Sequence, residues 1–355
     1  RPPRSTLFPY TTLFRSSKAA YPCKSYGQGR INPAYFYGVF DPNDMRRDVS
    51  ITMTGSNGKG VEKLIPFVPN SKAEGGGLTL NKWDENRQAN PWVAAQRKSG
   101  INGPYMRMSE VYLGYAEVCA ALGDVVTGKQ YLKTVRERSF PQGLANTDAF
   151  IASFGNDLVR AIIEERGFEY AGEGDRRWTL IRSGYLPEDI KRIKDMTKAM
   201  MDGLATKGYY EFENGNIISA YIWTKLVDAK TIYGHRLTAQ CPTDKVNDPV
   251  LYPGWRGQKD NWEEMGLNYG SSTPATNLAI KGLFEIVSEE EAASIESQGY
   301  TKVNWGIDLV DNRDEYDKYL FWDYDYVSAP IYLWPFTPNV MAAGGFTNGY
   351  GFKQE

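Results

Sequence analysis

The chain has 355 residues, 41% hydrophobic and 24% charged, enough to bury one large core or two smaller ones. Its formal net charge of −2 gives no electrostatic footprint for nucleic acid or anionic lipid, and no apolar run approaches the roughly 18 residues needed to cross a bilayer. Aromatic residues make up 14%, with 24 Tyr and 9 Trp against a single histidine, a balance that favours stacking and hydrogen-bonding surfaces over proton-transfer chemistry.

Residues 1–20 stand apart. The stretch Thr6 to Ser16, TLFPYTTLFRS, repeats Thr-Leu-Phe within itself and follows neither a helical nor a strand period. It resembles the conceptual translation of a sequencing-adapter oligonucleotide, so residues 1–20 are expected to be a non-native leader, with natural sequence beginning near Lys18 or later. A natural basic arm is the alternative, and it leaves the match unexplained. Cys23 follows no apolar leader and is not read as a lipidation site. Together with Cys119 and Cys241 it makes an odd set without repeated spacing, so no disulfide framework is implied.

From residue 25 to 104 regular pattern is sparse. Tyr35-Phe36-Tyr37 and Phe40 precede a turn at Asp41-Pro42-Asn43-Asp44, Ser50 to Thr54 alternates like a short strand, and Gly55 to Gly60 reads as a turn. Aromatic clusters usually pack. Recognition on helical scaffolds nevertheless tends to sit in loops, so Tyr35, Tyr37 and Trp92 are candidates for ligand contact.

Residues 105–201 are predicted to be helical. Met108, Val111, Tyr112, Tyr115, Cys119 and Leu122 recur at three- and four-residue steps and so fall on one stripe of a helix that ends at Gly123-Asp124. A second helix follows, with Tyr131, Leu132 and Val135 inward and Arg136, Glu137 and Arg138 toward water. Tyr105 to Arg138 spans 34 residues, the period of a tetratricopeptide-type pair, which needs neighbours to bury its apolar face. A third helix is expected after Asn146 or Thr147, with Phe150, Ile151, Phe154, Leu158, Ile162 and Phe168 inward. Pro187 opens a further amphipathic helix running through Met201. The fold class is therefore mainly α: tetratricopeptide-like pairs followed by a large, irregular, loop-rich region over residues 202–355. The interruptions at 203–275 mark a functional surface or an irregular subdomain, whose Trp255 and Trp262 join the ligand-contact candidates. Ser288 and Glu291 form a capping box for a short helix to about Gln298.

One string is more specific than these patterns. Arg107, Glu110 and Tyr115-Ala116-Glu117 are followed by Val135-Arg136 and then by Glu165-Arg166, Glu169, Glu173-Gly174, Arg176-Arg177-Trp178, Leu180, Arg182 and Gly184. In this order they resemble the signature of the SusD/RagB family. Asp44-x-Arg46-Arg47, Lys82-Trp83 and Pro330 to Pro335 with Asn339 resemble further elements of it, so the likeness runs from about Ser25 to the C-terminus. The resemblance implies a nutrient-binding outer-membrane lipoprotein of Bacteroidetes that captures glycans or other nutrients at the cell surface for a SusC-like TonB-dependent transporter. It also implies an N-terminal part, with signal peptide, lipidated cysteine and further tetratricopeptide-type pairs, that this chain lacks. Contact with the membrane would then run only through that missing lipid anchor, and the pair at Tyr105 to Arg138 should show an exposed apolar face.

Catalytic groups are few. His235 and Cys241 are six residues apart with no further ligands nearby, so neither a metal site nor a cofactor is expected. Gly55-x-x-Gly58-x-Gly60 lacks the Lys-Ser/Thr sequel of a phosphate loop, and no Gly-x-Ser-x-Gly elbow occurs. Glu164 and Glu165, or Asp323 and Asp325, are the carboxylate pairs to weigh for glycoside hydrolysis. Adjacent helical residues point about 100° apart, and Glu165 has Arg166, Arg176 and Arg177 close in sequence, a setting that favours the ionised form over a general acid. The signature charges are therefore read as salt bridges and the protein as a binder, not an enzyme. The alternatives are a helical-repeat protein-interaction module without glycan binding and, more weakly, a glycoside hydrolase.

Overall fold

The structure, a computed structural model, describes residues 31–56, 62–64, 67, 78–80, 82, 104–140, 143–228, 276–314 and 338–345. Two short helices come first. In α1 (Pro33–Gly38) the Asn32 side chain accepts from the Ala34 amide, and in α2 (Met45–Ser50) Asp44 accepts from the Arg46 amide. Two small antiparallel ribbons follow: β1 (Ile51–Thr52) pairs with β4 (Thr79–Leu80), and β2 (Thr54–Ser56) with β3 (Glu62–Leu64).

Six helices then form the frame. The pair α3 (Met108–Ala121) and α4 (Val125–Glu137) turns at Gly123, and Asp124 caps α4 by accepting from the Thr127 amide. The two pack closely because Gly128 has no side chain; a Cβ there would lie 3.0 Å from Ala116 O. The single helix expected after Asn146 is two. Helix α5 (Thr147–Ala152) is capped by Asn146, the chain then takes left-handed φ at Gly155 and Asn156 (66° and 65°), and Asp157 caps α6 (Leu158–Glu169) afresh. The frame ends in α7 (Asp175–Ser183) and α8 (Leu186–Lys207), with Pro187 in the first turn of α8.

Of two predicted faces, one forms largely as expected and one is reversed. The inner side of α3 is Ser109, Leu113, Ala116 and Cys119, whereas Met108, Val111, Tyr115 and Leu122 are exposed, Leu122 at 82%. Both sides of this helix are apolar, and the outer one is the exposed apolar face expected of the Tyr105 to Arg138 pair, with Cys119 alone of the buried residues belonging to the predicted stripe. Arg136, expected in water, is 3% exposed, because its partners Phe150 and Glu165 lie far along the chain.

The region expected to be irregular contains strands. A hairpin pairs β5 (Tyr209–Glu211) with β6 (Ile217–Ser219). Strand β7 (Tyr221–Asp228) is central in an antiparallel sheet of order β8-β7-β9, between β8 (Thr276–Lys281) and β9 (Thr301–Asn304). Helix α9 (Glu289–Ser297) carries the expected capping box between Ser288 and Glu291. Short helices α10 (Gly306–Asp311) and α11 (Pro338–Gly344) complete the described chain; Asn339 is exposed in α11, while Pro330 to Pro335 lie outside the described residues. Among the described residues no helix is long and apolar enough to cross a membrane.

Two main apolar clusters result. One joins Leu113, Ala116, Leu132, Val135, Ile151, Ala161 and Ile162 from α3 to α6. The other packs the α1 aromatics Phe36 and Tyr37 with Phe40 against Met200 and Leu204 of α8, Ile222 and Ile280 of the sheet, and Trp305. Helix α6 supplies residues to both and is buried on nearly all sides, its charged residues included.

Candidate functional site

Burying Glu164, Glu165, Arg166 and Glu169 on α6 is unfavourable unless each charge is paired and hydrogen-bonded. The structure pairs them across elements. Glu165 is 0% exposed; Arg46 Nη1 donates to its Oε1 at 2.6 Å and Arg136 Nη1 to its Oε2 at 2.9 Å. Arg46 also donates to Glu169 Oε2 at 3.1 Å and is held in place by Asp44, so the α2 cap is part of the same cluster. The other oxygen of Glu169 meets Arg107 and Arg138. Arg107 grips Glu173 with two nitrogens, at 3.0 and 2.8 Å, and donates to Glu169 O at 2.6 Å, while Lys82 also reaches Glu169 O and pairs with Glu173. Planar guanidiniums suit such bidentate contacts.

A second set of pairs involves other residues of α6. Arg176 Nη2 donates to both oxygens of Glu164, at 2.9 and 3.0 Å, and to Asp189 at 2.9 Å; its Nη1 reaches Ile163 O at 3.1 Å. Gly167 makes room for it, since a Cβ there would lie 2.9 Å from Arg176 Nη1. Arg166 pairs with Asp175 and lies 4.0 Å from Glu110. Arg182 bridges α7 to Glu117 of α3, with Nη2 to Oε2 at 2.9 Å. Several guanidiniums also lie over rings: Arg136 over Phe150 at 3.8 Å, Arg107 over Tyr170 at 4.6 Å and Arg160 over Tyr185 at 4.1 Å.

This electrostatic arrangement opposes acid catalysis. Burial pushes the Glu169 carboxyl up, but Arg107, Arg46 and Arg138 outweigh it and hold the pKa at about 2. Burial raises the Tyr35 hydroxyl to about 12 against the pull of Arg176, and it lowers the Lys82 ammonium against the pull of Glu173. A proton donor for glycoside cleavage needs a carboxyl held up in pKa and open to substrate. Glu164 and Glu165 are instead closed in by arginines. Asp323, Asp325, His235 and Cys241 lie outside the described residues, and among the described residues no group of three or more His, Cys, Asp or Glu side chains is placed to hold a metal ion.

A family model described as the SusD family matches residues 12–335. The chain belongs to the SusD family. A curated relative, SusD-like protein P25 of Formosa agariphila, is 28% identical over 160 residues, 45% of this chain and 26% of its own length. The chain thus spans about a quarter of that relative. A solved SusD homologue from Bacteroides thetaiotaomicron is 23% identical, with 44% of this chain and 34% of that one covered at a TM-score of 0.30.

The SusD-like string is largely one physical object. Arg107, Glu165, Glu169 and Glu173 form one cluster with Arg46 and Lys82. Glu110, Arg166, Asp175 and Arg176 lie along α6 and α7. Gly174 supplies the left-handed turn, φ 91°, that reverses the chain into α7, and Arg177 is buried. Trp178 is 48% exposed and is not a core residue. Arg136, named in the string though read as facing water, joins the first cluster; sequence reading does not single out Arg138, Arg160, Arg192 and Asp189, for which the density of arginine around Glu165 is the signal.

The ligand-contact candidates separate. Tyr37 is 0% exposed: its ring stacks on Phe212 at 6.0 Å and its hydroxyl accepts from Trp305 Nε1 at 2.9 Å, so no face remains for a ligand. Tyr35 is half-buried, edge-on to Phe40, and donates to Gly167 O at 3.3 Å. Both rings therefore serve the packing of α1 against α6 and α8. Trp92, Trp255 and Trp262 lie outside the described residues.

Proposed function

We propose that this protein binds a glycan or related nutrient at the outer-membrane surface and passes it to a SusC-like TonB-dependent transporter. The observation that carries this reading is the family match over residues 12–335. The geometry supports it, because the signature charges are engaged with one another inside the frame and leave recognition to other residues. Trp and Tyr faces stack on sugar rings while neighbouring polar side chains bond the hydroxyls. Trp92, Trp255 and Trp262 are the residues assigned that role, and Tyr35 contributes at most an edge. Capture of this kind uses no cofactor. Attachment to the membrane through an N-terminal lipid is part of this proposal.

The test is binding of an oligosaccharide panel by calorimetry, with Trp255→Ala and Trp262→Ala as comparisons. Saturable binding to at least one glycan, weakened tenfold or more by either substitution at unchanged stability, is expected; binding to none would overturn the reading.

One observation favours a second reading, a helical-repeat interaction module. Met108, Val111, Tyr115, Val118, Leu122 and Val126 form an exposed apolar stripe on α3 and the start of α4. Stripes of this size commonly mark protein contact. Recovery of a transporter partner by a chain that binds no glycan would favour it.

A further inference from the structure

The segment that follows β8 is held in an unusual path. Gly282 takes φ 76°, and a Cβ there would lie 2.9 Å from Val287 Cγ2 and 3.2 Å from the Trp223 ring, so only glycine lets the chain turn this tightly against the sheet. Residues 282–287 then arch over to α9, leaving a cleft of about 340 Å³ between arch and helix. Its apolar lining combines the buried Ile280, Leu283 and Ile295 with the more open Phe284, Ile286 and Val287. Its rim is polar: Lys281, Glu291, Ser294 and Gln298.

We propose that this cleft is a ligand site for a single neutral, hydroxyl-rich ring, a monosaccharide or one terminal sugar of a longer chain. The rim chemistry selects that class. Lys281 Nζ donates to Gln298 Oε1 at 2.9 Å, Gln298 Nε2 donates to Ser294 O at 3.1 Å, and the Glu291 carboxylate accepts from the Ser288 amide at 2.9 Å. Donors and acceptors are thus fixed beside one another before any ligand arrives, which lowers the cost of ordering them. The Ser294 hydroxyl makes no hydrogen bond with the described residues. A sugar hydroxyl both donates and accepts, and this rim offers both.

Charge argues the same way. Lys281, Glu285 and Glu291 all line the opening, one positive charge against two negative, so an anionic ligand gains nothing by entering. Ligand pockets generally start near 300 Å³, which limits the occupant to about one ring. The lining is apolar and includes the Phe284 ring, so the C–H face of a pyranose is the matching surface, and affinity in the millimolar range is expected.

This inference rests on the nutrient-binding reading, and its test separates the two. The probes are the methyl glycosides of glucose, galactose, mannose and xylose, followed by saturation-transfer NMR on the full chain. Ser294→Trp fills the cleft from an exposed helical position, and Gln298→Ala removes one rim group without touching the apolar lining. At least one glycoside should bind the natural sequence, with a tenfold or greater loss in Ser294→Trp, a smaller loss in Gln298→Ala and an unchanged melting temperature. If none of the four binds, or one binds Ser294→Trp equally well, the cleft assignment is overturned. A chain that binds oligosaccharides through Trp255 but no methyl glycoside refutes the cleft alone; one that binds glycosides in the cleft but no oligosaccharide refutes the assignment of Trp255 and Trp262.

Discussion

Arg136 Nη1 lies 2.9 Å from Glu165 Oε2, with both side chains almost wholly out of water. The pair ties α4 to α6, and its other contacts, Arg46 on Glu165 and Phe150 beneath Arg136, make it the centre of the frame. Breaking such a pair from one side leaves an uncompensated buried charge, at a cost of about 3–5 kcal/mol. Glu165→Gln should lower unfolding free energy by that order in urea titration. Removing both charges, as Arg136→Met with Glu165→Gln, should cost less than the sum of the single changes. A loss under about 1 kcal/mol for Glu165→Gln would show that the pair does not hold the frame.

Glu169 sets an acid limit. Its pKa of about 2 lies below the reference value of 4.5, so the unfolded chain binds the proton more tightly. The stabilisation is therefore complete above the unfolded pKa and is lost as pH falls through the folded one. Between pH 4.5 and 2 the chain should lose roughly 3 kcal/mol from this group, given about 1.4 kcal/mol for each pKa unit. Glu169→Gln should flatten that part of the stability profile; an unchanged profile would contradict the assignment.

Two helical glycines should respond with opposite sign. Alanine in place of glycine favours a helix by about 0.5–1 kcal/mol where nothing else changes. At Gly114 a Cβ meets nothing within 4 Å, so Gly114→Ala should stabilise by about that amount. At Gly167 the same Cβ would displace Arg176 from Glu164 and Asp189, and a net loss of about 1–2 kcal/mol is expected. Thermal denaturation of the two variants side by side checks both signs.

The α3 stripe should make the isolated chain self-associate. Leu122→Lys with Val126→Lys, at positions 82% and 80% exposed, should reduce both oligomer content in sedimentation and binding of an apolar dye, at unchanged melting temperature. Equal association of the variant would place the contact elsewhere.

What was legible in the sequence depended on distance along the chain. The capping box at Ser288 and Glu291, the turn at Gly123 and the start of α8 at Pro187 rest on neighbours within a few residues, and they formed where expected. Arg136 was misplaced because its partner is 29 residues away and nothing local marks its burial. Strand β7 was missed because its alternation is blurred: Ile222 and Trp223, on opposite faces, are both buried. The SusD-like string identified the family, since it names the charged residues that must meet. It could not tell Tyr37, sealed beneath Trp305, from an aromatic residue that meets a ligand.

The most direct test of the account is the fate of a bound oligosaccharide. The chain is mixed with a glycan it binds, and after prolonged incubation the glycan is recovered and its length and reducing ends are measured by chromatography. Intact glycan is predicted, because Glu164 and Glu165 are occupied by arginines and Glu169 is held at a pKa of about 2. Shortened products with new reducing ends, lost in Glu165→Gln that remains folded, would contradict it.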